Sequence, residues 1–185
     1  MYHVSKNARA QRSAALICDG LAKCMEEKPF QKITVNDVLE KCHVSRASFY
    51  RLFDNKTDVL FYEGDRIFHE RLEMLATQAI TNKKEQAIYC MKVWFDSHSI
   101  VKPLIENHME WVIYETYQRN AELLKKVCRI PFTEERQSDY FISLFASVIC
   151  SALSVYLRHG GTEPIEEVYE AVSRSISCID RSING

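Results

Sequence analysis

Glycine and proline are scarce in this chain, with 5 and 4 among 185 residues. That scarcity excludes collagen-like and low-complexity architectures and leaves few points at which a helix must stop. The 7 cysteines, at positions 18, 24, 42, 90, 128, 150 and 178, are odd in number, scattered and never spaced as C-x-x-C. A disulfide framework or a zinc ribbon would need closer pairing, so a reducing compartment is expected. Also missing are the G-x-S-x-G elbow, a phosphate loop, H-E-x-x-H and a dinucleotide fingerprint, so nothing points to an enzyme or to a cofactor. Cys90, His98, His108 and Glu110 form a loose group of ligand types whose spacing matches no metal motif. No cysteine has neighbours that predict a lowered thiol pKa, so no thiol sensor is read here. The basic residues Lys6, Arg9 and Arg12 are followed by a periodic segment rather than a compact apolar block. No signal peptide is visible, and a cytoplasmic protein is expected.

What is present is ordinary for a globular chain: 46% hydrophobic and 26% charged residues, enough for one domain or two small ones. Tyr140 to Leu157 carries no charge over 18 residues, close to a membrane-spanning length. Ser143, Ser147, Ser151 and Ser154 fall along one helix face, with Phe141, Phe145, Val148 and Ala152 on another, so the segment reads as a buried helix and no membrane partner is expected. Charge is unevenly placed. Residues 1–56 hold ten Lys and Arg against six Asp and Glu, whereas residues 57–185 hold 14 against 19. A basic first third and an acidic remainder are expected if one end meets a polyanion.

Ala10, Ala14, Ile17, Leu21 and Met25 recur at helical spacing and predict a first helix ending near Lys28, before Pro29. Thr34 reads as the N-cap of a second helix with Asp37 as its capping-box partner, and Ile33 and Val38 stand at the staple positions. That helix is short, because Ser45 caps another running from Arg46 to Phe53, again with a staple pair, Val44 and Phe49. Two short capped helices joined by a few residues make a helix-turn-helix. Asn55 then caps a long helix from Lys56, which breaks near Thr81 to Lys83. Further helices are expected at Lys84 to His98, around Pro103 to His108, from about Met109 to Cys128, at Ser138 to His159 and at Ile165 to Ile179. Phe132 to Gln137 is expected to be a loop, and Gly160-Gly161 a stop between the last two helices.

On the helix from Arg46, Phe49, Leu52 and Phe53 share the inward face, leaving Arg46, Ala47, Ser48, Tyr50 and Arg51 outward. That surface is basic and short-chained, as a helix entering a major groove requires, with Tyr50 and Lys56 placed for phosphates. Thr34 and Ser45 begin helices, where free N–H groups favour a phosphate oxygen. Helix-turn-helix geometry also occurs in domains that never touch DNA, so periodicity and caps alone leave a helical protein-interaction module open as the alternative.

The residues from Ile33 to Leu60, with the core V-S-x-x-S-F-Y-x-x-F-x-x-K-x-x-L, closely resemble the signature of the TetR family of transcriptional regulators. With the preceding helix the resemblance covers about residues 8 to 62. It implies an all-α protein: a three-helix helix-turn-helix DNA-binding domain over residues 1–56, then a helical effector-binding and dimerisation domain over residues 57–185. It implies a homodimeric repressor released from a near-palindromic double-stranded DNA operator by a small-molecule effector. Thr34, Ser45, Arg46, Ala47, Ser48, Tyr50, Arg51 and Lys56 match positions that commonly face DNA in that family. The family usually has glycine in the turn where this chain has His43, a residue that tolerates positive φ at some cost.

In the remainder, Met91, Trp94 and His98 lie on one helical stripe and Met109, Ile113 and Asn120 on another. They are the expected lining of an effector cavity, with His98 and Asn120 as its polar handles. The uncharged helix from Ser138 to His159 and the helix from Ile165 to Ile179 are expected to pair across a two-fold axis, with Phe141, Phe145, Ser147 and Ser151 at the dimer interface.

Overall fold

The computed structural model describes residues 1–77, 80, 82–128 and 134–184, excepting the side chains of His98 and Asn184. Among the described residues the chain is helical throughout, with ten α-helices: α1 (Ala8–Glu27), α2 (Val35–Cys42), α3 (Arg46–Leu52), α4 (Lys56–Thr77), α5 (Lys83–Phe95), α6 (His98–Glu106), α7 (Trp111–Arg119), α8 (Ala121–Cys128), α9 (Glu135–Arg158) and α10 (Ile165–Asn184). One turn of 3₁₀ helix, Phe30–Lys32, leads into α2. The expected bend at Thr81 and the expected loop at Phe132 and Thr133 lie outside the described residues.

The chain gathers into two compact units, Met1–Ile67 with Ser99–Val112, and Phe68–His98 with Ile113–Gly185. In the first, α1 lies against α2 and α3. Its apolar stripe of Ala14, Ile17 and Leu21 is fully buried together with Val38, Phe49 and Phe53. Gly20 sits at the crossing of α1 and α2: a Cβ there would stand 2.9 Å from Cβ of Cys42 and 3.1 Å from the Val38 carbonyl oxygen. The helices approach this closely because the side chain is missing. The Ser99–Val112 segment is tied in by Asn107, whose Oδ1 accepts from the Phe30 backbone N–H at 2.7 Å.

In the second unit α10 packs on α5 and α9. Lys84 of α5 pairs with Glu170 of α10, and the rings of Phe95 on α5 and Tyr156 on α9 lie 4.9 Å apart. The uncharged segment is a core helix along one side, with Ile142, Ala146, Ile149 and Leu153 of α9 buried. The Gly160-Gly161 stop is formed as expected, at φ 95° and 67°.

Several helices depart from the expected boundaries: α5 ends at Phe95, α9 begins at Glu135 inside the expected loop, and α10 runs to Asn184 rather than Ile179. The segment from Met109 to Cys128 is interrupted at Asn120, whose side-chain amide donates to the Thr116 carbonyl at 2.8 Å and whose Oδ1 lies 2.6 Å from Nε2 of His69. A side chain that competes for helix carbonyls bends the helix where it stands. Helix α6 begins at His98 and runs through Pro103 rather than starting near it. That proline supplies no N–H to the Ser99 carbonyl, the cost of a proline past the first turn.

Candidate nucleic-acid interface

Each helix of the helix-turn-helix is held at its start by its own side chain. Thr34 Oγ1 accepts from the Asp37 N–H at 3.2 Å while Asp37 Oδ2 accepts from the Thr34 N–H at 2.6 Å, a complete capping box. The Lys28 ammonium, 2.8 Å from the same carboxylate, and the Thr34 donors hold the Asp37 pKa down at about 2. Ser45 Oγ accepts from the Ser48 N–H at 3.2 Å and donates to Ser48 Oγ at 3.0 Å. Asn55 Oδ1 accepts from the N–H groups of Thr57 and Asp58 at the head of α4. Between α2 and α3 the chain turns at His43, in the left-handed region at φ 54° and ψ 28°.

With both ends fixed, α3 has a defined inside and outside. Phe49, Leu52 and the C-cap residue Phe53 are buried, and Phe53 meets the Tyr62 ring edge-on at 5.7 Å. Arg46, Ala47, Tyr50 and Arg51 are exposed, Ser48 is half-buried, and no acidic residue lies on the helix. Thr34 and Ser45 are also exposed. The result is a short basic surface with two guanidinium groups and little bulk between them.

Two of the expected DNA-facing residues have work inside the protein as well. Arg46 donates through Nη2 to Oδ1 of Asn36, a hydrogen bond that orients the guanidinium from α2. Asn36 carries no sequence signal beyond its place in the first turn of α2, so its part was not legible beforehand. The Lys56 ammonium donates to the carbonyls of Phe30 at 2.5 Å and Ile33 at 2.6 Å and lies 4.3 Å from the centre of the Phe30 ring. Burial lowers the Lys56 pKa. Lys56 thus clasps the start of α4 to the 3₁₀ turn and meets a phosphate only by releasing those carbonyls.

Residues 17–62, which contain this whole arrangement, match the family model of the bacterial regulatory proteins, tetR family. Over this part of the chain the protein is similar to a tetR-family DNA-binding domain. Such a domain is the DNA-binding part of a transcriptional regulator, and it implies a part in the regulation of transcription. Beyond the tetR-family domain, the fold is similar over its length to a solved structure, Lin0861 from Listeria innocua. The TM-score is 0.80 at 16% identity, covering 96% of each chain. At that identity the likeness speaks for the fold alone. No curated protein matches the chain.

Outside the tetR-family domain the expected effector-site residues are divided. Met91, Trp94, Ile113 and Asn120 are buried in the second unit, whereas Met109 is buried in the first. The His98 side chain lies outside the described residues. Tyr117, which carries no sequence signal, stands in the same interior as Trp94, with the Tyr117 Oη and the Trp94 Nε1 both buried and facing one another. Their rings are 6.4 Å apart, and burial raises the Tyr117 pKa well above its ordinary value.

The expected dimer residues also separate. Ser147 and Ser151 are exposed on the side of α9 that carries Leu144, 66% exposed. Phe141 and Phe145 stack on each other at 6.0 Å, Phe145 meets Tyr117 edge-on, and both line a different cavity in the second unit.

Proposed function

We propose that the protein is a homodimeric repressor that reads a near-palindromic operator with α3 of each copy and is released by a small-molecule effector. The observation that carries this reading is the acid-free outer face of α3, with Arg46 and Arg51 presented on a helix fixed by the Ser45 cap within a tetR-family domain. Thr34, Ser45, Ala47, Ser48 and Tyr50 share that surface, and Lys56 joins it if its clasp opens. Arg46 and Arg51 have the reach to pair with guanine O6 and N7, while Ala47 and Ser48 allow close approach to the base edges. Residues 1–56 are proposed to bind DNA, and residues 57–185 to bind effector and dimerise, in the cytoplasm.

For the effector, the interior containing Met91, Trp94, Ile113 and Asn120 is supported by the buried polar atoms of Trp94 and Tyr117 that lie within it. A mostly apolar site with a few placed donors is the usual construction for a small ligand. For the dimer, support comes from a groove of about 520 Å³ between α9 and α10, bordered by Ser147, Ser151, Ile176 and Ile179.

The test is selection of bound duplexes from a random library by the purified protein at about 150 mM salt, where non-specific attraction is already weakened. Enrichment of a palindrome is expected. Arg46→Ala or Arg51→Ala should then cost about 1 to 3 kcal/mol of affinity and relax one base position. Background binding alone, steep in salt and without sequence preference, would reject the operator reading and favour a helical protein-interaction module.

A further inference from the structure

Cys90 and Cys128 are 38 residues apart in sequence, yet their sulfurs lie 3.6 Å from each other where α5 and α8 meet in the second unit. Beside them opens a cavity of about 300 Å³, walled by Ala87, Leu124, Phe141 and Phe145, with Lys83 at its margin. We propose that Cys90 and Cys128 form an oxidisable dithiol, closed to a disulfide by an organic hydroperoxide seated in this apolar cavity.

The two thiols are unequal in the way such chemistry requires. Cys90 is buried and Cys128 is partly open. A hydrogen bond from Cys90 and the charge of Lys83 hold the Cys128 pKa below its ordinary value, against the effect of burial. The same hydrogen bond, with burial, pushes Cys90 well up. Cys128 is therefore the attacking sulfur and Cys90 the resolving one.

In the first step the Cys128 thiolate attacks an oxygen of the O–O bond. That bond breaks, the alcohol leaves after taking a proton, and Cys128 becomes a sulfenic acid. In the second step Cys90 attacks the sulfenic sulfur, an S–S bond forms, and the hydroxyl leaves as water with the Cys90 proton. Two thiols are oxidised by two electrons and one hydroperoxide is reduced to alcohol and water. Closing from 3.6 Å to a covalent distance of about 2.05 Å asks for a side-chain rotation at Cys128, the last residue of α8.

Cys18 and Cys178 differ from this pair. Cys18 is buried, and burial raises its pKa well above the ordinary value. Cys178 is exposed on α10 and serves as an internal control for indiscriminate oxidation.

The proposal is tested on the reduced full-length protein, titrated in parallel with cumene hydroperoxide and hydrogen peroxide, then alkylated and mapped by peptide mass spectrometry. A Cys90–Cys128 disulfide reversed by dithiothreitol is expected, formed at about tenfold lower concentration of the apolar oxidant, since burial of its ring favours the cavity. Cys90→Ala should leave a Cys128 sulfenic acid that dimedone traps, and Cys128→Ser should leave none at Cys90. Free thiols at 90 and 128 under conditions that oxidise Cys178 would overturn the proposal, and so would trapping at Cys90 first. Equal response to hydrogen peroxide would overturn the assignment of the cavity to an organic oxidant.

The step from oxidation to control rests on the repressor reading above. Operator affinity should fall in step with the disulfide in wild type and stay constant in both variants. If the reduced protein selects no duplex, the repressor reading fails, and peptide mapping still decides whether the dithiol exists.

Discussion

His43 closes α2 at φ 54° and ψ 28°, where the Cβ of an L-residue crowds the following carbonyl. The side chain is exposed, so the strain is not offset by burial. His43→Gly removes it and should raise unfolding free energy by about 1 kcal/mol, less the entropy that glycine adds to the unfolded chain. Operator affinity should be the same for variant and wild type between about pH 6 and 8. Urea midpoints and duplex titrations read the two quantities, and an affinity difference that changes with pH would show that the imidazole takes part in binding. Asp37 makes the opposite kind of contribution. Its pKa is held at about 2 by Lys28 and by the Thr34 donors, so its stabilising effect is complete above the ordinary carboxylate pKa of about 3.9 and is lost as pH falls through about 2. Between those limits wild type should lose more stability than Asp37→Asn, and acid unfolding curves that run parallel would remove the carboxylate from the account.

At the scale of the helices, the α1 and α2 crossing sets where α3 is carried, and Gly20 sets that crossing. Gly20→Ala places a methyl group 2.9 Å from Cβ of Cys42 and 3.1 Å from the Val38 oxygen, so α2 must give way. Overpacking of this kind costs about 1 to 3 kcal/mol, offset by about 1 kcal/mol of helix propensity. A net loss of up to about 2 kcal/mol is expected, together with weaker operator binding, while Asp19→Ala on the exposed side of α1 should leave both unchanged. A Gly20→Ala protein as stable as wild type would mean that the crossing has slack. The caps at Thr34, Ser45 and Asn55 were legible in the sequence because a cap is made within three residues, and residue type with spacing specifies it. The inward trio of Phe49, Leu52 and Phe53 was legible for the same reason, through a period of one turn. The close approach at Gly20, the Asn36 bond to Arg46 and the meeting of Cys90 with Cys128 depend on how helices cross, which no local pattern encodes. The Asn120 interruption was hidden too, since its His69 partner stands 51 residues away.

For the whole molecule, under the proposed function α3 with its seven residues would read few bases, and a second copy would double the site. Half-sites read by two major-groove helices are spaced by about one turn of DNA, roughly 34 Å, which a two-fold assembly provides. The α9 and α10 face is the proposed contact because it leaves Leu144, Ile176 and Ile179 between 49% and 66% exposed. Exposed apolar surface of this kind marks an interaction site. Ser147 and Ser151 are small, so a partner helix can come close over them. Both side chains are exposed, and Ser147 bonds only within its own helix, to the Ser143 carbonyl at 2.8 Å. Ser147→Arg and Ser151→Arg should therefore leave the helical content and the fold of each subunit intact while placing a charge where two copies meet. Sedimentation should show monomers, and operator affinity should fall by far more than loss of one arginine contact on α3 would explain, because each half-site must then be bound separately. Dimers from both variants, with unchanged affinity, would move the two-fold contact to another face.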